Sequence, residues 1–226
     1  MNRIGLLGGS FNPAHRGHRA LSRHALRLLE LDEIWWLVSP GNPLKEARGM
    51  APLAARYRSA RRAARGLPIR VTAIECELGT SYTAETLRHL HRRFPGRRFV
   101  WLMGADNLSQ FHLWRDWRGI ARSVPIAVVG RPGYDGAARA ARAMGWLRRF
   151  VRPAGQARNW TEWRLPAIVL LQTPPDPTSA TLLRAAEPDW HLHHSRSLNP
   201  QALRDGVTRR PFTTRRHIAS TRTGPD

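Results

Sequence analysis

Six short apolar runs constrain the fold of this chain more than any other feature. They are Ile4 to Leu7, Ile34 to Val38, Ile69 to Glu75, Arg98 to Met103, Ile126 to Val129 and Ala167 to Leu171. Runs of this length, continuously apolar rather than alternating, read as strands buried on both faces, the pattern of a parallel sheet with covered faces. Segments of helical spacing separate them: Arg19 to Leu31, Leu53 to Arg65, Ala84 to Phe94, a basic helix-permissive stretch from Ala137 to Phe150, and a last helix over Thr178 to Ala186. Strand and helix in alternation predict an α/β fold, a doubly wound parallel sheet with right-handed crossovers.

In such sheets ligands bind beyond the carboxyl ends of the strands, near the switch in strand order. Clusters of glycine, proline and hydroxyl residues at Gly8, Pro40, Thr80, Gly104, Gly130 and Thr178 each follow a predicted strand, which places them in one site. The first is the most informative: Gly8-Gly9-Ser10-Phe11-Asn12-Pro13-Ala14-His15-Arg16-Gly17-His18. A strand running through small residues into a helix suits phosphate, because the backbone can come close and the unpaired N–H groups of the first helical turn favour negative charge. His15 and His18 add side-chain donors at the same junction.

Composition excludes several classes. One cysteine in 226 residues, Cys76, rules out an internal disulfide and fits a reducing compartment. It reads as a small buried residue within the run from Val71 to Glu77. No apolar run approaches the roughly 20 residues that span a bilayer, and no signal peptide precedes the first strand, so a soluble, cytoplasmic protein without membrane contacts is expected. The formal net charge of +21 raises nucleic acid as a partner. The arginines are nevertheless scattered, and Lys45 is the only lysine, which reads as a general codon bias; no specific nucleic-acid binding is expected. Beyond Glu187 the texture changes to scattered prolines and arginines with few aliphatics. Residues 1–187 are therefore expected to form one domain, and 188–226 a basic tail, weakly ordered or loosely docked. His191, His193 and His194 read as a solvated cluster rather than a metal site.

The His15-x-Gly17-His18 pattern, with the glycine turn before it, resembles the signature of the nucleotidylyltransferase superfamily. Four further stretches narrow the likeness: Thr83-x-x-Thr86-Leu87, Gly104-Ala105-Asp106-Asn107-Leu108-x-x-Phe111-x-x-Trp114-x-x-Trp117, Arg131-Pro132-Gly133-Tyr134 and Thr178-Ser179-Ala180-Thr181-Leu182-Leu183-Arg184. Together, over residues 3 to about 186, they resemble the bacterial nicotinate-nucleotide adenylyltransferases. The resemblance implies a Rossmann-like sheet of the nucleotidylyltransferase type. It also implies in-line attack of nicotinate mononucleotide on the α-phosphorus of ATP, with pyrophosphate leaving. Such chemistry is mostly positioning and stabilisation of growing negative charge.

By that likeness His18 is the catalytic member and His15 assists at the triphosphate, with Lys45 and Arg184 near the phosphates. ATP would be held by Gly8, Gly9, Ser10, Phe11, His15, His18, Gly104, Asp106, Thr178, Ser179, Thr181 and Arg184. Nicotinate mononucleotide would meet Thr83 at its carboxylate, Trp114 stacked on its ring, Asp106 at ribose, and Arg131 and Lys45 at phosphate. Mg²⁺ is implied through the ATP phosphates, with no metal ligands of the protein's own. A homo-oligomer is compatible with the sequence. Two positions depart from the family pattern: Ala180 replaces a second serine, and Leu44 stands where a histidine is common. Nicotinamide mononucleotide or phosphopantetheine as the acceptor, and a non-catalytic nucleic-acid-binding α/β protein, are the competing readings.

Overall fold

A computed structural model describes residues 2–41, 49–130, 140–174, 178, 180–194 and 203–212. Seven strands form one sheet: β1 (Asn2–Gly9), β2 (Glu33–Val38), β3 (Ile69–Thr72), β4 (Arg97–Gly104), β5 (Ile126–Gly130), β6 (Val151–Arg152) and β7 (Ile168–Gln172). Their order is β3-β2-β1-β4-β5-β7-β6, and every pairing is parallel. The order reverses between β1 and β4, so the switch point lies where the glycine turn leaves β1.

The helices are α1 (Arg16–Leu28), α2 (Leu53–Ala64), α3 (Ile74–Leu78), α4 (Thr83–Arg93), α5 (Ala105–Gln110), α6 (Trp117–Ser123), α7 (Met144–Leu147), α8 (Ala180–Ala186) and α9 (Trp190–His193). Because side chains alternate across a strand, each buried strand feeds two cores. Ile4, Leu6, Trp35, Leu37, Trp101 and Met103 pack on one face with Leu87 and Leu90 of α4 and Ile120 of α6. Leu7, Ile34, Trp36, Val38, Val100 and Leu102 pack on the other with Ala25 and Leu29 beside α1 and Tyr57 and Ala60 of α2. This is the doubly wound arrangement expected from the apolar runs.

Three expectations change. The strand expected over Ile69 to Glu75 stops at Thr72, where the Thr72 hydroxyl accepts from Ile74 N–H at 3.0 Å and the Asp205 carboxylate takes the Ala73 N–H at 2.8 Å. The ladder loses its donors there, and the chain turns into α3, which ends at Gly79 in the left-handed region (φ 66°). Cys76 thus lies on a short helix, buried as expected. The stretch expected as a helix to Phe150 yields, in its described part, a single turn at α7, followed by a 3₁₀ turn over Arg148–Phe150.

The tail is the third change. Its described residues 203–212 dock on the β3 edge through buried groups instead of lying loosely. Asp205 is 6% exposed, Gly206 N–H donates to Val71 O and to the Tyr57 hydroxyl at 3.0 Å each, and that hydroxyl lies 3.2 Å from Arg204 O. Leu203, Val207 and Phe212 pack into the cores, Phe212 4.5 Å from the Tyr57 ring, but they are spaced with neither a helical nor a strand period, which is why hydropathy did not reveal this docking. No helix among the described residues is long and apolar enough to cross a membrane.

Candidate active site

At the carboxyl ends of β1, β4 and β5 the structure opens a cleft of about 830 Å³. It gathers Gly8 through Asn12, His15 and His18 on one side and Thr83, Asp106 and Trp114 on the other, with Gly104, Thr178 and Thr181 also in its wall. Nearly all the described residues that the sequence nominated therefore share one cavity. Arg184 is the exception: it is absent from the lining, and its guanidinium donates to Asn12 O at 2.7 Å and to the Thr181 hydroxyl at 3.3 Å. Lys45, Arg131 and Ser179, like the Leu44 departure, lie outside the described residues.

The glycines explain how the backbone approaches so closely. A Cβ on Gly8 would lie 2.8 Å from the Trp101 ring, and one on Gly104 would lie 2.4 Å from the Asp106 carboxylate that curls back over the strand end. A Cβ on Gly17 would strike the His15 ring at 2.9 Å and crowd Thr178 O at 3.3 Å. Small residues thus let α1 and the chain before α8 close on one another.

His15 is the N-cap of α1, and its side chain accepts from Gly17 N–H. His18 reaches back so that its Nδ1 accepts from the His15 N–H at 3.2 Å, a capping box made by two imidazoles. With each Nδ1 accepting, the proton of each ring stands on Nε2. His18 is wedged against Phe11 (centroids 4.8 Å apart) and Trp36 (6.0 Å), and His15 lies 4.0 Å away. Burial first, and then the neighbouring His15, push its pKa down to about 3. His18 is thus a neutral hydrogen-bond donor at physiological pH, not a fixed cation.

The opposite wall is more open. Helix α4 starts after Tyr82, whose side chain makes no cap bond, so the N–H groups of Thr83 and Ala84 have no backbone acceptor among the described residues. Trp114 is half-buried, edge-on to Trp101 (6.1 Å) and Phe111 (5.4 Å). Arg115, which the sequence reading passed over, lies 4.7 Å above the Tyr82 ring and pairs with Glu85 at 3.4 Å. Glu75 was missed as well. It is 7% exposed, lines the cleft and accepts from the Thr86 hydroxyl at 3.1 Å. Burial outweighs its bonds to Thr86 and Ser39 and raises its pKa to about 7. Only its neighbour Thr86 belonged to a recognisable stretch.

A glycine-rich turn beside two imidazoles, facing a partly exposed aromatic wall across a strand switch point, is the arrangement of an α/β protein whose cleft suits nucleotide-sized ligands. Comparison with known proteins gives this class a family. The cytidylyltransferase-like family model matches residues 6–186. A protein of Erythrobacter litoralis named "Probable nicotinate-nucleotide adenylyltransferase" is 59% identical over 92% of this chain and 93% of its own. One of the same name from Cereibacter sphaeroides is 50% identical over 80% and 96%. Among solved structures, Plasmodium falciparum nicotinic acid mononucleotide adenylyltransferase complexed with NaAD superposes with a TM-score of 0.62 at 16% identity, over 82% of this chain and 83% of that one; this likeness concerns the fold. The chain belongs to the cytidylyltransferase-like family, within its nicotinate-nucleotide adenylyltransferase branch.

Proposed function

We propose that the protein transfers the adenylyl group of ATP to nicotinate mononucleotide, releasing pyrophosphate and forming nicotinate adenine dinucleotide, a step of NAD biosynthesis. The observation that carries this reading is that the rings of His15 and His18 share one cleft with the start of α4 and the Trp114 ring.

In this reading the Gly8–Phe11 turn receives the triphosphate, with Gly104, Thr178, Ser179, Thr181 and Arg184 around it. The acceptor lies against Trp114, its carboxylate toward Thr83 and the first N–H groups of α4, where a helix N-terminus favours negative charge. Its phosphate oxygen then faces the α-phosphorus in line. His18 donates to the oxygens on which charge grows, its neutral ring keeping Nδ1 as the acceptor of the His15 N–H and leaving the proton on Nε2. Asp106, exposed on the first turn of α5, accepts from ribose hydroxyls. Lys45 and Arg131 keep the phosphate roles that the resemblance implies.

Mg²⁺ would enter on the ATP phosphates and neutralise their charge. The carboxylates described in the cleft wall are Glu75, half-protonated near neutral pH, and Asp106. Among the described residues no group of three or more His, Cys, Asp or Glu could hold a metal ion. That donor set suits an ion that keeps phosphate and water ligands. Residues 1–187 carry the activity, and 188–226 are an appendage whose docked part braces β3.

Pyrophosphate release by the purified chain tests the reading. It should require ATP together with a pyridine mononucleotide and be absent with phosphopantetheine. Release with phosphopantetheine, or none with either acceptor, would overturn it.

A further inference from the structure

Arg56, on α2, is 1% exposed, and no carboxylate among the described residues pairs with it. Among the described residues all its hydrogen bonds go to backbone carbonyls. Nε donates to Ala51 O at 2.9 Å, Nη1 to Ser10 O and Ser39 O at 2.7 Å each, and Nη2 to Pro40 O at 3.4 Å. Burying a cation without counter-charge is costly. Burial lowers its pKa only to about 10, so the charge persists at neutral pH.

Its carbonyl partners belong to the two loops that frame the phosphate end of the cleft, where Ser10, Phe11, Ser39 and Gly41 all line the wall. A planar trans peptide points its C=O and the following N–H in opposite directions. Drawing the Ser10 carbonyl down to Arg56 therefore turns the Phe11 N–H to the other side. Drawing down the Pro40 carbonyl does the same for Gly41. Neither N–H has a partner among the described residues. Phe11 holds φ at 46°, a value that a bulky residue adopts only when its surroundings impose it.

We propose that Arg56 is the positioning residue of the phosphate subsite: it orients the Ser10–Phe11 and Pro40–Gly41 peptides with their N–H groups toward the polyphosphate of the nucleotide, and sets one buried positive charge a single peptide layer behind it. This rests on the adenylyl-transfer reading. Among the described residues no carboxylate meets Arg56, and the polyphosphate would bring negative charge to it. No substrate contact is assigned to its side chain.

Calorimetric titration with tripolyphosphate, with steady-state kinetics in parallel, tests the role on the wild type, Arg56→Lys and Arg56→Met. Arg56→Met should weaken tripolyphosphate binding and raise the KM for ATP by about tenfold or more, since both charge and several charge-assisted bonds are lost. The KM for the pyridine nucleotide should stay within about twofold of wild type, a split that general loosening of the fold would not give. Arg56→Lys should fall between, with the charge kept and the fork lost. If Arg56→Met does not fold, Arg56→Lys decides: an ATP KM and tripolyphosphate affinity equal to wild type would overturn the proposal. Equal affinities in folded Arg56→Met would overturn it as well. Wild-type protein that bound neither tripolyphosphate nor ATP would instead bring down the adenylyl-transfer reading, so the two failures are distinct.

Discussion

On the phosphate side of the cleft, Phe11 is 1% exposed and stacked on Trp36 at 5.0 Å, the partly exposed His18 packs beside them, and Arg56 holds the loops from beneath. Across the cleft, Leu113 is 56% exposed, Trp114 partly exposed, and the Arg115 side chain 63% exposed. The first wall is backbone held by buried side chains; the second is side chains on a short helical corner. In the proposed reaction, geometry that must be exact for phosphorus chemistry would sit on the buried sheet end, and the choice of acceptor would rest with the more exposed groups. Substitutions on the two sides should therefore fail differently, in turnover on one and in acceptor affinity on the other.

The largest effect is expected at His18. Alanine there should lower turnover on the order of a hundredfold or more, the worth of one preorganised donor, with far less change in the KM for the acceptor. Near-wild-type turnover would remove the ring from the mechanism and erase the contrast between the walls. Trp114→Ala should mainly raise the KM for the pyridine nucleotide, roughly tenfold, which is what stacking one ring is worth. An unchanged KM would place the acceptor elsewhere.

Protonation separates the walls further. The folded pKa of His18 is depressed to about 3 from 6.5, so its share of stability is intact above pH 6.5 and is lost as pH falls toward 3. That of Glu75 is raised to about 7 from 4.5, so its share is intact below pH 4.5 and is lost as pH rises through 7. Between pH 4.5 and 6.5 the two oppose each other, each by up to about 1.4 kcal/mol per pH unit. Urea unfolding of Glu75→Gln should show stability rising with pH across that window, and His18→Asn should show it falling. Parallel curves for both variants and the wild type would show that neither group is buried as described.

The smallest effect on activity belongs to Asp205→Ala. It should cost about 1–3 kcal/mol of stability through the Ala73, Val207 and Thr208 N–H groups it abandons, and leave turnover within about twofold. A large loss of turnover would tie the docked tail to the cleft.

Most strands were legible because a strand buried on both faces must be continuously apolar, as Trp35–Val38 and Val100–Met103 are. The phosphate wall was legible because close backbone approach admits only glycine at Gly8 and Gly17. Arg56 was not: in the arginine-rich α2 nothing marks it off from Arg58, Arg61 or Arg62 except burial, which depends on where two distant loops arrive. Glu75 was hidden for a related reason, since it reads as the end of a strand until Asp205, 130 positions later, ends the ladder at Ala73. Residues that act through tertiary placement leave little trace in local pattern.

The most direct check is a competition in one vessel. With ATP limiting and nicotinate and nicotinamide mononucleotides at equal concentration, the two dinucleotide products are separated and counted. The N–H groups at the start of α4, placed to meet a carboxylate, predict that nicotinate adenine dinucleotide dominates; an equal or larger yield of the nicotinamide product would contradict it.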